Sequence, residues 1–245
     1  MLSFSQFLES TQEELDQAEH MIAAYIFRQF HEAIRQYFSR GKQESIEKIF
    51  TDIWLGPKLN WGKAGIRLQI PQTIEQFQVP IEFQQYQVRL VSNSRGAHAR
   101  GRIEISFNPN AFLDANDVNE ETVRNELQRV NFRCYHECAH MSQDGTSPEQ
   151  MTGATEKEKA IKYMIHPGEL RAHARQYAIM YMYEFPNQPY SRQNLDKLAI
   201  KDHKLYKYLH ILPQSRKEFP HLASEIKQAI LSFEDQIERE VNNYV

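Results

Sequence analysis

A chain of 245 residues is long enough for one large domain with a proper core, and 41% hydrophobic with 25% charged residues is the balance of an ordinary globular protein. A net charge of -3 gives no general attraction to nucleic acid or anionic membrane, and the longest apolar run, Met21 to Phe27, is too short to span a bilayer. The start, Met1-Leu-Ser-Phe-Ser-Gln6, lacks the cationic opening of a secretory signal, so a cytoplasmic location is expected.

Taken in order, residues 11 to 40 predict a long amphipathic helix. Thr11 and Glu14 offer a capping box, and Leu15, Ala18, Ile22, Tyr25, Ile26, Phe30, Ala33, Ile34 and Tyr37 form its apolar stripe, with Gly41 as the stop. A shorter helix is expected from Glu44 to Trp54, ended by Gly56-Pro57. Residues 1–60 are therefore a helical scaffold. The period then changes to two: Ile66, Leu68 and Ile70 alternate with polar residues, as do Ile103, Ile105 and Phe107. Between them Ile81 and Phe83 alternate, and Tyr86, Val88 and Leu90 resume one residue out of phase, which predicts a bulge near Gln84-Gln85. A small antiparallel or mixed sheet is expected over this region.

From Val123 the apolar steps lengthen to three and four: Val123, Leu127, Val130, Cys134, Cys138 and Met141, one buried helix face. Asp117 with Glu120 reads as its capping box, and Asp144-Gly145 as its end. Residues 61–145 thus hold the sheet and this helix. Residues 146 to 160 are polar and read as a loop. A further helix starts at Pro167, and helices are expected over about Ser191 to Tyr208 and Leu222 to Val241, joined by a Pro213 to Pro220 connection. The class is α+β, a single domain over 1–245 whose last part, 146–245, is a helical lobe.

The helix from Val123 carries the chemistry. It contains His136-Glu137-Cys138-Ala139-His140, the H-E-x-x-H string in which two imidazoles one turn apart grip a zinc ion and the glutamate between them serves as general base. At about 100° per residue His136 stands roughly 200° from Cys134, on the side of the helix away from its packing face. Cys134 and Cys138, the two cysteines of the chain, read as small buried hydrophobes. A Cys/His zinc site fails because the two pairs face opposite ways.

A catalytic zinc takes three protein ligands. Glu169 is the leading third candidate, at the head of the Pro167 helix; His173, one turn on, is an alternative ligand or a donor to substrate, and His166 is a weaker alternative. Asp144 is too close in sequence to swing back easily and is better explained as a helix-ending residue. Gln143 and Thr146 occupy the offsets where a metzincin has Gly and His, which excludes that class. The segment Pro167-Gly-Glu169-Leu-Arg-Ala172-His-Ala174 with the H-E-x-x-H string resembles the gluzincin branch of the zincin metallopeptidases. More narrowly, it is similar to the third-ligand segment of small predicted zinc peptidases carried by tailed bacteriophages. The match covers about His136 to Ala178, with Arg133 and Ser142 departing from the usual zincin residues at their places.

The resemblance implies a zincin-like fold, Zn2+ held by His136, His140 and Glu169, and Glu137 as base. The mechanism also calls for an oxyanion donor, His173 or a tyrosine, though Tyr163, Tyr177, Tyr181 and Tyr183 read mostly as core at helical spacing. It implies a protein or peptide substrate, added as a strand along an edge at Gly101 to Phe107, and a host cytoplasm if phage-encoded. The alternative is a non-catalytic zincin-fold structural or interaction protein, such as a phage accessory protein. Neither nucleic acid nor membrane is expected as a partner; Lys201, Lys204 and Lys207 are spaced as a solvated helix face.

Overall fold

The computed structural model describes residues 12–46, 48–49, 66–92, 97–99, 101–142 and 155–244. They form a mixed α and β chain, mostly helical, in two compact units divided between Ser142 and Gln143. The capping box at Thr11 and most of the helix expected from Glu44 to Trp54 lie outside the described residues. Among those residues no helix is long and apolar enough to cross a membrane.

In the first unit α1 (Gln12–Ser39) follows its stripe: Ala18, Ile22, Ile26, Phe30, Ala33, Ile34 and Tyr37 are buried. It stops where Gly41 permits. Gly41 takes φ +62, its N–H donates to the Phe38 carbonyl and the Lys42 N–H reaches back to Tyr37, which together close a Schellman motif.

The sheet is mixed. Strands β1 (Ile66–Gln69), β4 (Gln87–Ser92), β5 (Ala97–Ala99) and β6 (Arg102–Phe107) lie in the order β1-β4-β6-β5. β4 and β6 are parallel, from Gln87 opposite Arg102 to Ser92 opposite Phe107, because β5 and β6 form a hairpin whose turn residue Gly101 has φ +73. A separate hairpin pairs β2 (Thr73–Ile74) with β3 (Phe77–Gln78). Ile81–Gln84, expected as a strand leading to a bulge, is instead a helical turn, α2. Pro80 supplies its N-cap, and that one turn swallows the phase slip the alternation showed.

After α3 (Asn110–Leu113), α4 (Glu121–Cys138) begins without the expected capping box. Asp117 makes an Asx turn, accepting from the Asn119 N–H at 2.7 Å, and the Glu120 carboxylate accepts from the Asn116 N–H. Glu120 itself, with φ -58 and ψ 144, becomes the N-cap. The stripe expected on this helix is buried throughout: Val123, Val130, Cys134 and Cys138 at 0%, Met141 at 4% and Leu127 at 7% exposure. It packs against α1 and β6.

The second unit is all helix among its described residues. α5 (Glu156–Ile165) starts inside the polar stretch read as loop, with the Thr155 side chain accepting from the Glu158 N–H at 3.1 Å as its N-cap. α6 (Pro167–Glu184) buries Leu170, Ala174, Tyr177, Ala178 and Tyr181. Then come α7 (Arg192–Lys201), α8 (His203–Tyr206), a π-helical turn (Lys207–Ile211), α9 (Leu212–Glu218) and α10 (Ala223–Tyr244). The expected Pro213 to Pro220 connection is therefore mostly α9. Pro213 stands in the first turn of that helix, where its missing N–H costs nothing. α10 packs along α6, with the Phe233 and Tyr177 rings edge to face at 6.0 Å.

Nothing within 4 Å would obstruct a Cβ at Gly41, so its positive φ alone sets the cost of replacing it. Gly41→Ala should lower unfolding free energy by about 1 kcal/mol in a denaturant titration, the strain of an L-residue in the left-handed region.

Candidate metal centre

The helix that buries Cys134 and Cys138 carries His136 on its last turn, half-buried. The α-helix was expected to run past His140 to Asp144; it ends at Cys138. Beyond it the His140 N–H donates to Glu137 at 3.2 Å and the Met141 N–H to Cys138 at 3.0 Å, three residues back instead of four. His140 thus stands on a tightened turn that follows the helix. The two imidazoles are still adjacent, centroids 5.1 Å apart at 82°. Glu137 and His140 are buried, 7% and 5% exposed.

Two long-range hydrogen bonds hold that turn. The Tyr86 hydroxyl donates to the Met141 carbonyl at 2.9 Å. The Ser142 N–H donates at 2.9 Å to the carboxylate of Glu19, a fully buried residue of α1. Arg133 ties the same helix to the sheet, donating to the Ser106 carbonyl at 2.6 Å. The two positions that depart from the zincin pattern are therefore structural ties, Arg133 through its side chain and Ser142 through its backbone.

Glu169 lies in the first turn of α6 and is 5% exposed. A carboxylate there is favoured by the positive end of the helix. His173, one turn on and 2% exposed, places Nε2 3.7 Å from Glu169 Oε2. Of the four tyrosines expected mostly in the core, Tyr177 is buried and donates to Asp202 at 3.1 Å, Tyr181 is buried and donates to the Pro189 carbonyl at 2.8 Å, and Tyr183 is exposed. The tyrosine ring that packs beside His173 from outside α6 is Tyr208, centroids 5.4 Å apart, on the π-helical turn. Nothing in the sequence pattern singles it out.

Among the described residues, one group of three side chains can hold a metal ion: a ligand atom each from His136, His140 and Glu169, all within 4.8 Å of one another. Neither His173 nor His166 belongs to that group, and Asp144 lies outside the described residues. Two imidazole nitrogens and one carboxylate oxygen are the donor set of a catalytic zinc, with a fourth position left open. Donors at about 2.0–2.1 Å from a tetrahedral zinc stand roughly 3.3 Å apart, closer than the 4.8 Å within which these three atoms lie. The same donors serve other first-row divalent ions as well.

The buried thiols stay out of this chemistry. Cys134 is wholly enclosed, and burial, reinforced by the negative charge of Glu137, pushes its thiol far above the ordinary range. Gly101 to Phe107 is not the edge expected: among the described residues β6 lies between β4 and β5, Ser106 is buried, and the outer strands are β1 and β5. No family model, curated protein or solved structure matches the chain.

Iodoacetamide should leave Cys134 and Cys138 unmodified in the folded protein at pH 8 and label both once denaturant is added, as read by intact-mass spectrometry. Glu19→Ala should cost about 1–3 kcal/mol in a denaturant titration, because the Ser142 N–H loses its acceptor. Glu19→Gln, which keeps an oxygen in place, should cost less.

Proposed function

We propose that the chain is a zinc-dependent metallopeptidase of gluzincin type, in which His136, His140 and Glu169 hold the ion and Glu137 is the general base. The observation that carries this reading is the convergence of those three ligand atoms within 4.8 Å. Two of them come from the H-E-x-x-H string, and the third from the segment that resembles the gluzincin ligand helix. A bound zinc would supply Lewis acidity at a carbonyl and bring the pKa of water down to about 7.

The protein's own groups supply the rest. Glu137 follows His136 directly on the last turn of α4, so the placement of one carboxylate is fixed by the same backbone that fixes the first ligand. Its carboxylate takes the proton of the attacking water and returns it to the leaving amine nitrogen, a role worth roughly 10²–10⁴ in rate. His173 remains the donor assigned to the substrate oxygen, its Nε2 3.7 Å from Glu169. The substrate class is a protein or peptide.

Protein purified without added metal should carry about one zinc per chain by mass spectrometry of the native protein, and His136→Ala or His140→Ala should abolish that occupancy. Glu137→Gln should keep the zinc and lose hydrolysis of a peptide library by roughly 10²–10⁴. Retained turnover in that variant removes the base assignment, and a protein with no affinity for zinc removes the whole reading.

A further inference from the structure

Glu19 on α1 is a fully buried carboxylate without a part in the proposed chemistry. Its neighbours on the stripe, Ala18 and Ile22, are fully buried as well, and enclosing a carboxylate among apolar groups is costly unless a donor meets it there. The donor is the Ser142 N–H, at 2.9 Å. Tyr86 reaches the same point from another direction. Two residues past the end of α2, its N–H donates to the Phe83 carbonyl at 3.0 Å, and its ring stands edge to face with that of Phe83 at 6.2 Å. So placed, its hydroxyl donates to the Met141 carbonyl at 2.9 Å.

The Met141 carbonyl and the Ser142 N–H are the two polar groups of a single peptide unit. A peptide unit is planar, so a partner at its oxygen and another at its nitrogen fix the plane between them. That plane lies one residue beyond His140. The Ala139 N–H still reaches four residues back, to Tyr135, whereas those of His140 and Met141 reach only three. At three residues per turn each step rotates about 120° instead of about 100°, so the tightness of this turn sets where the His140 imidazole points.

We propose that Glu19 and Tyr86 are positioning residues for His140: by holding both ends of the Met141–Ser142 peptide unit they fix the backbone from which that imidazole projects. The inference rests on reading His140 as a metal ligand. Groups that orient a ligand from outside are worth typically 10–100-fold in metal affinity. Glu19, Tyr86 and the turn all belong to the first unit, so the arrangement is internal to it.

The test titrates the whole chain with Co2+ and follows the visible absorption of the bound ion. Glu19→Met keeps the volume and removes the acceptor, and Tyr86→Phe keeps the ring and removes the donor. Each should bind Co2+ about 10–100-fold more weakly and with an altered spectrum. Glu19→Gln, which returns an oxygen to the Ser142 N–H, should restore parental affinity. Gly41→Ala is the contrast: it strains the far end of α1 and should lower Tm while leaving Co2+ affinity and spectrum alone, so a weaker fold does not by itself move the readout. Parental affinity and spectrum in either Glu19→Met or Tyr86→Phe overturn the inference and leave the metal site standing; where Glu19→Met does not fold, Tyr86→Phe decides. If the parent protein takes no Co2+, the site and the inference fall together.

Discussion

The apolar stripe of α4 is the constraint on which the candidate site depends. Val123, Val130, Cys134 and Cys138 are fully enclosed against α1 and β6, and burying a side chain of this kind is worth about 1.5–3 kcal/mol. No rotation of the helix keeps those residues covered and turns His136 elsewhere. The hydrophobic effect sets the direction of the imidazole without contacting it. Where the stripe runs out at Met141, direction passes to hydrogen bonds: Tyr86 and Glu19 fix the backbone of the turn that bears His140. One imidazole is aimed by packing and the next by polar ties.

What could be read in advance followed from periodicity. The stripes of α1, α4 and α6 and the alternation of β6 each state a buried face, and burial reproduces them closely. The elements that escaped are those whose cause is not local. The hairpin of β2 and β3 turns at Glu75, which takes φ +56 without the glycine or asparagine that would announce it, and a contact from Arg28 on α1 holds its side chain. The start of α5 did have a local signal, Thr155-x-x-Glu158, hidden inside a polar stretch whose composition suggested a loop. Pro213 suggested a break because a proline's place in a helix decides its effect, and only the structure shows it in the first turn.

At the site, the H-E-x-x-H string was legible because its mechanism needs fixed spacing, and Glu169 was legible with the help of a family resemblance. The early end of α4 was not. Just beyond that end the Ser142 N–H is taken by Glu19, 123 residues away in sequence, a tie no local pattern announces.

Arg133 also bears on how the sheet and the helix that carries the histidines hold each other. Its guanidinium donates to the Ser106 carbonyl at 2.6 Å, so a charged group closes the seam between α4 and β6. A hydrogen bond from a charged donor contributes about 1.5–3 kcal/mol, more than a neutral one. A guanidinium stays protonated across the physiological range, so this fastening does not loosen as acidity changes.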